Sequence, residues 1–217
     1  MKPLLILIFT VFFGLRLFAT AQYPDKVIYN GKEYSLQSNP LESFFKENPD
    51  KLPKSEIVST ALWRGYVATF EVRDNQLYVK DIEIEVSDTS STRTSSFKWK
   101  SVLNEVFPGQ KEVKVEWITG LLVMPYGKIV NYVHMGYGST YEFYTLLEFE
   151  KGNLVREKNF KYDEYEKFKE RQFQAFKMTE DYKRLKARLQ KKDDSDESID
   201  SFLRSFVTDY TSIILTE

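Results

Sequence analysis

Two extended runs, Trp63 to Val72 and Gln76 to Val86, are rich in β-branched and aromatic residues and flank Asp74-Asn75. They predict a long antiparallel hairpin, and with it a sheet as the frame of the fold. A two-residue turn pairs Val72 with Leu77, Phe70 with Val79, Ala68 with Asp81, Tyr66 with Glu83 and Arg64 with Glu85 on one face. The other face pairs Val67 with Ile82, Gly65 with Ile84 and Trp63 with Val86. In this register one face is apolar near the turn and charged far from it, and a one-residue slip would undo the sorting.

Similar signals extend along the chain. Asn30-Gly31 between Val27-Ile28-Tyr29 and Lys32-Glu33-Tyr34 predicts an opening hairpin with a type I′ turn. Asn39-Pro40-Leu41-Glu42 predicts a short helix with Asn39 as cap and Leu41, Phe44 and Phe45 buried, ended by Asn48-Pro49. Residues 88–96 are Ser/Thr-rich and read as a loop, and Trp99, Val102, Leu103 and Val106 are spaced as a middle amphipathic helix. Val113, Val115 and Trp117 alternate as a strand, and Leu121 to Met124 is a continuous apolar run. Pro125-Tyr126-Gly127 reads as a turn before a strand from Ile129 to His134. Tyr141 to Glu150 and Leu154 to Phe160 form a further hairpin around Lys151-Gly152-Asn153. From Tyr162 to Gln190 the pattern becomes one long charged helix, and Ile199 to Ile214 a second, with Asp194 and Glu197 at capping-box spacing. The expected fold is α+β: an antiparallel sheet built from hairpins, packed with a short N-terminal helix, a middle helix and two C-terminal helices over residues 162–217.

Residues 1–21 combine Lys2, an apolar run from Leu4 to Phe13 and Ala19-Thr20-Ala21, the pattern of a cleaved export leader. The run is too short to span a bilayer and Arg16 interrupts it, so no transmembrane span is expected after cleavage. The remaining residues 22–217 read as a single domain that must be held by its core, because the chain has no cysteine. Loss of Lys2 and Arg16 leaves 29 basic against 32 acidic residues, a near-neutral balance that argues against nucleic-acid binding.

Motif tests exclude more than they identify. Gly136-Tyr137-Gly138 lacks the third glycine of a dinucleotide loop, since position 141 is Tyr141, and Gly127-Lys128 lacks the upstream glycine of a phosphate loop. Ser139 has no nucleophile-elbow pattern around it, so no serine triad is supported. His134 is the only histidine, so no metal site is expected, and no cofactor is implied. The acidic stretch from Asp193 to Asp200 lacks the glycine and terminal glutamate of a calcium loop. Lys183, Arg184, Lys186, Arg188, Lys191 and Lys192 read as a solvated helix end that complements the macrodipole.

What remains is the charged half of the hairpin face: Arg64, Tyr66, Asp81, Glu83 and Glu85. Carboxylates crowded beside a cation and a phenol could carry acid-base work, and the same residues also read as cross-strand pairs on a solvated face. Trp63, Trp117, Tyr137 and Tyr141, with His134, complete the candidate set. These aromatics suit a cleft that stacks sugar rings or peptides, or else a core.

The segment Leu62-Trp63-Arg64-Gly65-Tyr66-Val67-Ala68-Thr69-Phe70-Glu71, continuing through Leu77-Tyr78 to Asp81-Ile82, resembles a stretch of uncharacterised exported bacterial proteins. The resemblance implies a periplasmic or secreted destination and carries no activity. The function expected is a non-enzymatic domain that binds a protein, peptide or glycan of the cell envelope. A carboxylate-dependent hydrolase and a toxin-neutralising or structural envelope protein are the alternatives.

Overall fold

The computed structural model describes residues 21–57, 59–88, 96–134, 136–190 and 195–215. The expected leader, apart from Ala21, and the middle of the Ser/Thr connection lie outside them, as do Lys191, Lys192, Asp193 and Asp194. No helix among the described residues is long and apolar enough to cross a membrane.

Asn30 and Gly31 both take positive φ, 50° and 73°, closing β1 (Lys26–Tyr29) on β2 (Lys32–Ser35) as the Asn-Gly pair predicts. Helix α1 (Leu41–Glu47) follows and stops before Pro49. Its start differs from expectation. The Asn39 side chain makes no cap; its Oδ1 instead accepts the Tyr137 hydroxyl at 2.8 Å, so a residue suited to capping is used for a long-range contact.

The central hairpin joins β3 (Val67–Arg73) to β4 (Gln76–Ser87) across Asp74 and Asn75, both at positive φ. Val72 pairs with Leu77 and Phe70 with Val79 as expected, but the register then shifts between Thr69 and Phe70. Thr69 pairs with Asp81, Ala68 with Ile82 and Val67 with Glu83, while Tyr66, Gly65, Arg64 and Trp63 lie outside the strand. The slip at Lys80 replaces the expected sorting, which put Leu77 and Val79 on the face opposite Ile82 and Ile84. Leu77 and Val79 have odd parity and Ile82 and Ile84 even parity, so one extra residue keeps all four facing the core.

Beyond it, β5 (Phe97–Ser101) pairs with the far end of β4, placing Trp99 opposite Glu85. This corrects the expected middle helix: Trp99 is in a strand, and α2 (Leu103–Val106) is a single turn. A short β6 (Val113–Lys114) also joins β4, and Trp117 lies beyond it. The expected Pro-Tyr-Gly turn is absent. Instead β7 (Gly120–Asn131) runs through it as one strand with irregular register between Tyr126 and Ile129. Pro125 is tolerated because β7 is the last strand in the sheet order, with an edge that needs no donor. The hairpin of β8 (Thr140–Glu150) and β9 (Asn153–Lys161) turns at Lys151 and Gly152 as expected.

The order β2-β1-β3-β4-β9-β8-β7 makes a nine-stranded mixed sheet, mostly antiparallel with β1 and β3 parallel. Its two halves meet through one register pair, Gln76 with Asn153, and pack face to face. Leu122, Met124, Leu147 and Phe149 meet Phe70, Leu77 and Ile82 across this interior. The opposite face of β7 and β8, with Leu121, Val123, Tyr144 and Leu146, is covered by Tyr165 and Phe168 of α3 (Tyr162–Phe176). Burial on both faces explains why Leu121 to Met124 does not alternate.

The expected long helix is two. After α3 the chain breaks, and the Thr179 hydroxyl accepts the Tyr182 N–H at 3.2 Å at the start of α4 (Glu180–Gln190). The break lets Tyr182 fold back on Phe176, where α5 (Asp196–Ser205) adds Ile199 and Leu203. Ser195 caps α5, its hydroxyl accepting from Ser198 N–H, while the Asp194 of the expected capping box lies outside the described residues. The last helix, α6 (Val207–Tyr210), is one turn.

Candidate functional site

Between α1, the turn before β3 and the segment after β7 lies a cleft of about 1100 Å³. Phe45 and Leu52 supply an apolar wall, Trp63 stands at its mouth with 85% of its surface exposed, and Glu42, Ser43 and Lys46 line it from α1. Gln22 fixes the Trp63 backbone by accepting its N–H at 3.2 Å while donating to the Thr60 carbonyl at 2.7 Å.

Below Trp63 is an ion pair that sequence reasoning did not foresee. Asp25 is completely buried, and its Oδ2 accepts from Arg64 Nη1 at 2.8 Å while its Oδ1 accepts from Ala68 N–H at 2.9 Å. Arg64 also donates to the Tyr23 carbonyl at 3.0 Å and lies 5.2 Å from the centroid of the Tyr66 ring. Burial raises the Asp25 carboxyl despite the opposing pull of Arg64. The carboxylate form nonetheless fits the geometry, because both oxygens face donors. Burial works against the Arg64 charge, but Asp25 outweighs it and holds the guanidinium protonated. Tyr66 donates to Glu42 at 3.2 Å, and burial followed by the Asp25 and Glu42 charges raises its phenol. Burial pushes Tyr137 up to about 12, so both phenols remain donors at neutral pH.

Of the residues nominated from sequence, Trp63, Arg64 and Tyr137 line this cleft and Tyr66 is buried next to them. The others lie elsewhere. Asp81 accepts the Ser101 hydroxyl at 2.6 Å, Glu83 faces Val67 in the register, and Glu85 is only 2% exposed in the strand opposite Trp99. The expected pairing of Arg64 with Glu85 and Tyr66 with Glu83 is therefore corrected: the chain leaves the strand at Tyr66, and the arginine turns to Asp25. Trp117 donates to the Pro40 carbonyl at 3.0 Å and packs on Phe44, Tyr141 flanks the β7–β8 core, and His134 meets Tyr132 edge-on at the surface. Asp25, Asn39, Glu42 and Phe45 are site residues the sequence reading missed. Asn39 and Phe45 carried ordinary helix signals, and Asp25 carried none. Among the described residues no three His, Cys, Asp or Glu side chains are grouped to hold a metal.

Two smaller concavities adjoin the cleft, and Asp209 lines both. Its residue surface is open to solvent, yet surrounding protein pushes the carboxyl up from 3.8 to about 6. The folded state then holds more protons than the unfolded chain between about pH 4 and 6, so this group lowers stability as pH rises through that window. Solvent access at Asp209 keeps the effect small. Asp209→Asn should flatten that part of the stability-pH curve, measured by urea unfolding at stepped pH. An unchanged slope would show that the shift is absent.

No protein-family model, curated protein or solved structure matches the chain.

Proposed function

We propose that the chain is an exported, non-enzymatic binding domain whose cleft takes a saccharide of the cell envelope. The observation that carries this reading is Trp63, 85% exposed at the mouth of a cleft of about 1100 Å³. The Gln22 side chain anchors the Trp63 backbone, and the exposed indole is a ready stacking face for the apolar side of a sugar ring. Glu42, Ser43 and Lys46 line the same cleft and offer hydrogen bonds to hydroxyl groups. The Asp25–Arg64 pair beneath is neutralised and engaged by the backbone, which suits a rigid floor better than a proton-transfer group. The leader pattern of residues 1–21 supports a destination where such glycans occur.

Titration calorimetry against envelope oligosaccharides and peptides should show saccharide binding without product formation. Trp63→Ala should weaken binding at least about tenfold, a loss of about 1.4 kcal/mol. The exposed side chain contributes little to the core, so the melting temperature should stay within experimental error. Turnover of the saccharide would redirect the reading to a hydrolase. A preference for peptides, or full affinity in the alanine variant, would discard it.

A further inference from the structure

The concavity of about 280 Å³ between α3, α6 and the residues before β8 shares only Tyr137 with the Trp63 cleft. We propose that this second pocket is a binding site for an alkylated ammonium group. Tyr137, Tyr144, Tyr165 and Phe206 give it aromatic walls, and the Asp209 carboxylate lines it without a hydrogen bond or ion pair among the described residues. Tyr144 and Tyr165 are buried and stacked on each other at 4.0 Å as the back of the pocket, so Tyr137 and the more exposed Phe206, with the unneutralised carboxylate, supply the surface that attracts an organic cation.

The fate of the other polar groups strengthens the choice. Gln37 spends its amide on the Tyr137 and Ser139 carbonyls at 3.2 and 3.1 Å, and the Ser139 hydroxyl donates to Val133. Tyr137 donates to Asn39. The nearby cation, Lys169, is paired with Glu166 at 2.7 Å, so the pocket keeps the negative charge of Asp209. An anionic ligand would therefore meet the Asp209 charge and find the Gln37, Tyr137 and Ser139 donors already engaged. Lys169 lies 5.1 Å from the centroid of the Tyr165 ring, so that ring is taken by the protein's own cation and the ligand is left to Tyr137, Phe206 and Asp209. Thr140, on the lining, has a buried hydroxyl with no partner, which a polar ligand substituent could satisfy. The volume lies at the small end for ligand sites, fitting a headgroup better than an extended chain.

The test is titration of the protein with choline chloride and with its uncharged isostere 3,3-dimethylbutan-1-ol. Choline should bind saturably, and the isostere about tenfold more weakly or worse. Asp209→Asn should reduce choline affinity about tenfold with folding intact, and Phe206→Ala should reduce it through a different wall. Trp63→Ala should leave choline binding unchanged, so failure of the saccharide reading and failure of this site are separable. Absence of saturation at millimolar choline, equal binding of the isostere, or full affinity in Asp209→Asn would overturn the proposal. Co-sedimentation with phosphatidylcholine vesicles, reversed by choline, would identify a lipid headgroup as the source. Choline binding without co-sedimentation would identify a free solute, and both results support the site.

Discussion

Arg64→Met should destabilise the domain by about 3 to 5 kcal/mol, because it leaves a buried carboxylate without its counter-ion. Asp25 has no exposed surface, and the methionine offers neither the 2.8 Å hydrogen bond to its Oδ2 nor the 3.0 Å bond to the Tyr23 carbonyl. The Asp25→Asn/Arg64→Met double variant should recover most of that loss. Its amide oxygen can still accept the Ala68 N–H, and no isolated charge remains. Urea unfolding of the two single variants and the double gives the coupling directly. If Arg64→Met alone loses less than about 1 kcal/mol, the value of a surface ion pair, the buried pair is not holding the segment before β3 to β1.

Gly152→Ala should cost about 3 kcal/mol or more by combining backbone strain with overpacking. Gly152 has φ +75°, and a Cβ there would overlap the Val115 carbonyl oxygen and approach the Gln76 amide nitrogen to 2.7 Å. The place matters as much as the clash. Gly152 N–H donates to the Ile118 carbonyl at 2.8 Å, and its own carbonyl accepts from Leu77 N–H at 2.9 Å and from the Gln76 side chain at 2.8 Å. The bonds from Leu77 and Gln76 join the two halves of the sheet where Gln76 pairs with Asn153. The alanine variant should therefore show faster amide exchange at Leu77 and Leu154 than in the rest of β4 and β9. Uniform exchange together with a loss under about 1 kcal/mol would mean that the junction tolerates a side chain, contrary to this geometry.

Elements whose cause is local were legible in the sequence. Asn30-Gly31, Asp74-Asn75 and Gly152 turn the chain because Gly, Asn and Asp accept positive φ at modest cost, and Lys151 joins Gly152 in the same turn. The arrest of α1 before Pro49 is equally local. Trp99 shows the limit: its spacing with Val102, Leu103 and Val106 fits a helical face, but β4 offers an unpaired edge that residues 97–101 extend to fill. Pairing with a distant strand outweighs a weak periodicity signal. Of the candidate site, Trp63, Arg64 and Tyr137 were named from sequence because large aromatic and charged residues announce themselves. Asp25 was not, because a single acid before a strand has no pattern until the fold closes over it.

The sequence alone determined the α+β class, the positions of the tight turns and the apolar stripes available for burial. Each follows from the conformational preference of a few adjacent residues. Only the tertiary structure decided the slip at Lys80, the break that returns Tyr182 to Phe176, and the turning of Arg64 from the expected carboxylates of β4 to Asp25. In each case the deciding energy comes from burial against residues far along the chain. An ion pair or an apolar face gains its strength from the surroundings that exclude water, and those exist only once the sheet halves have met.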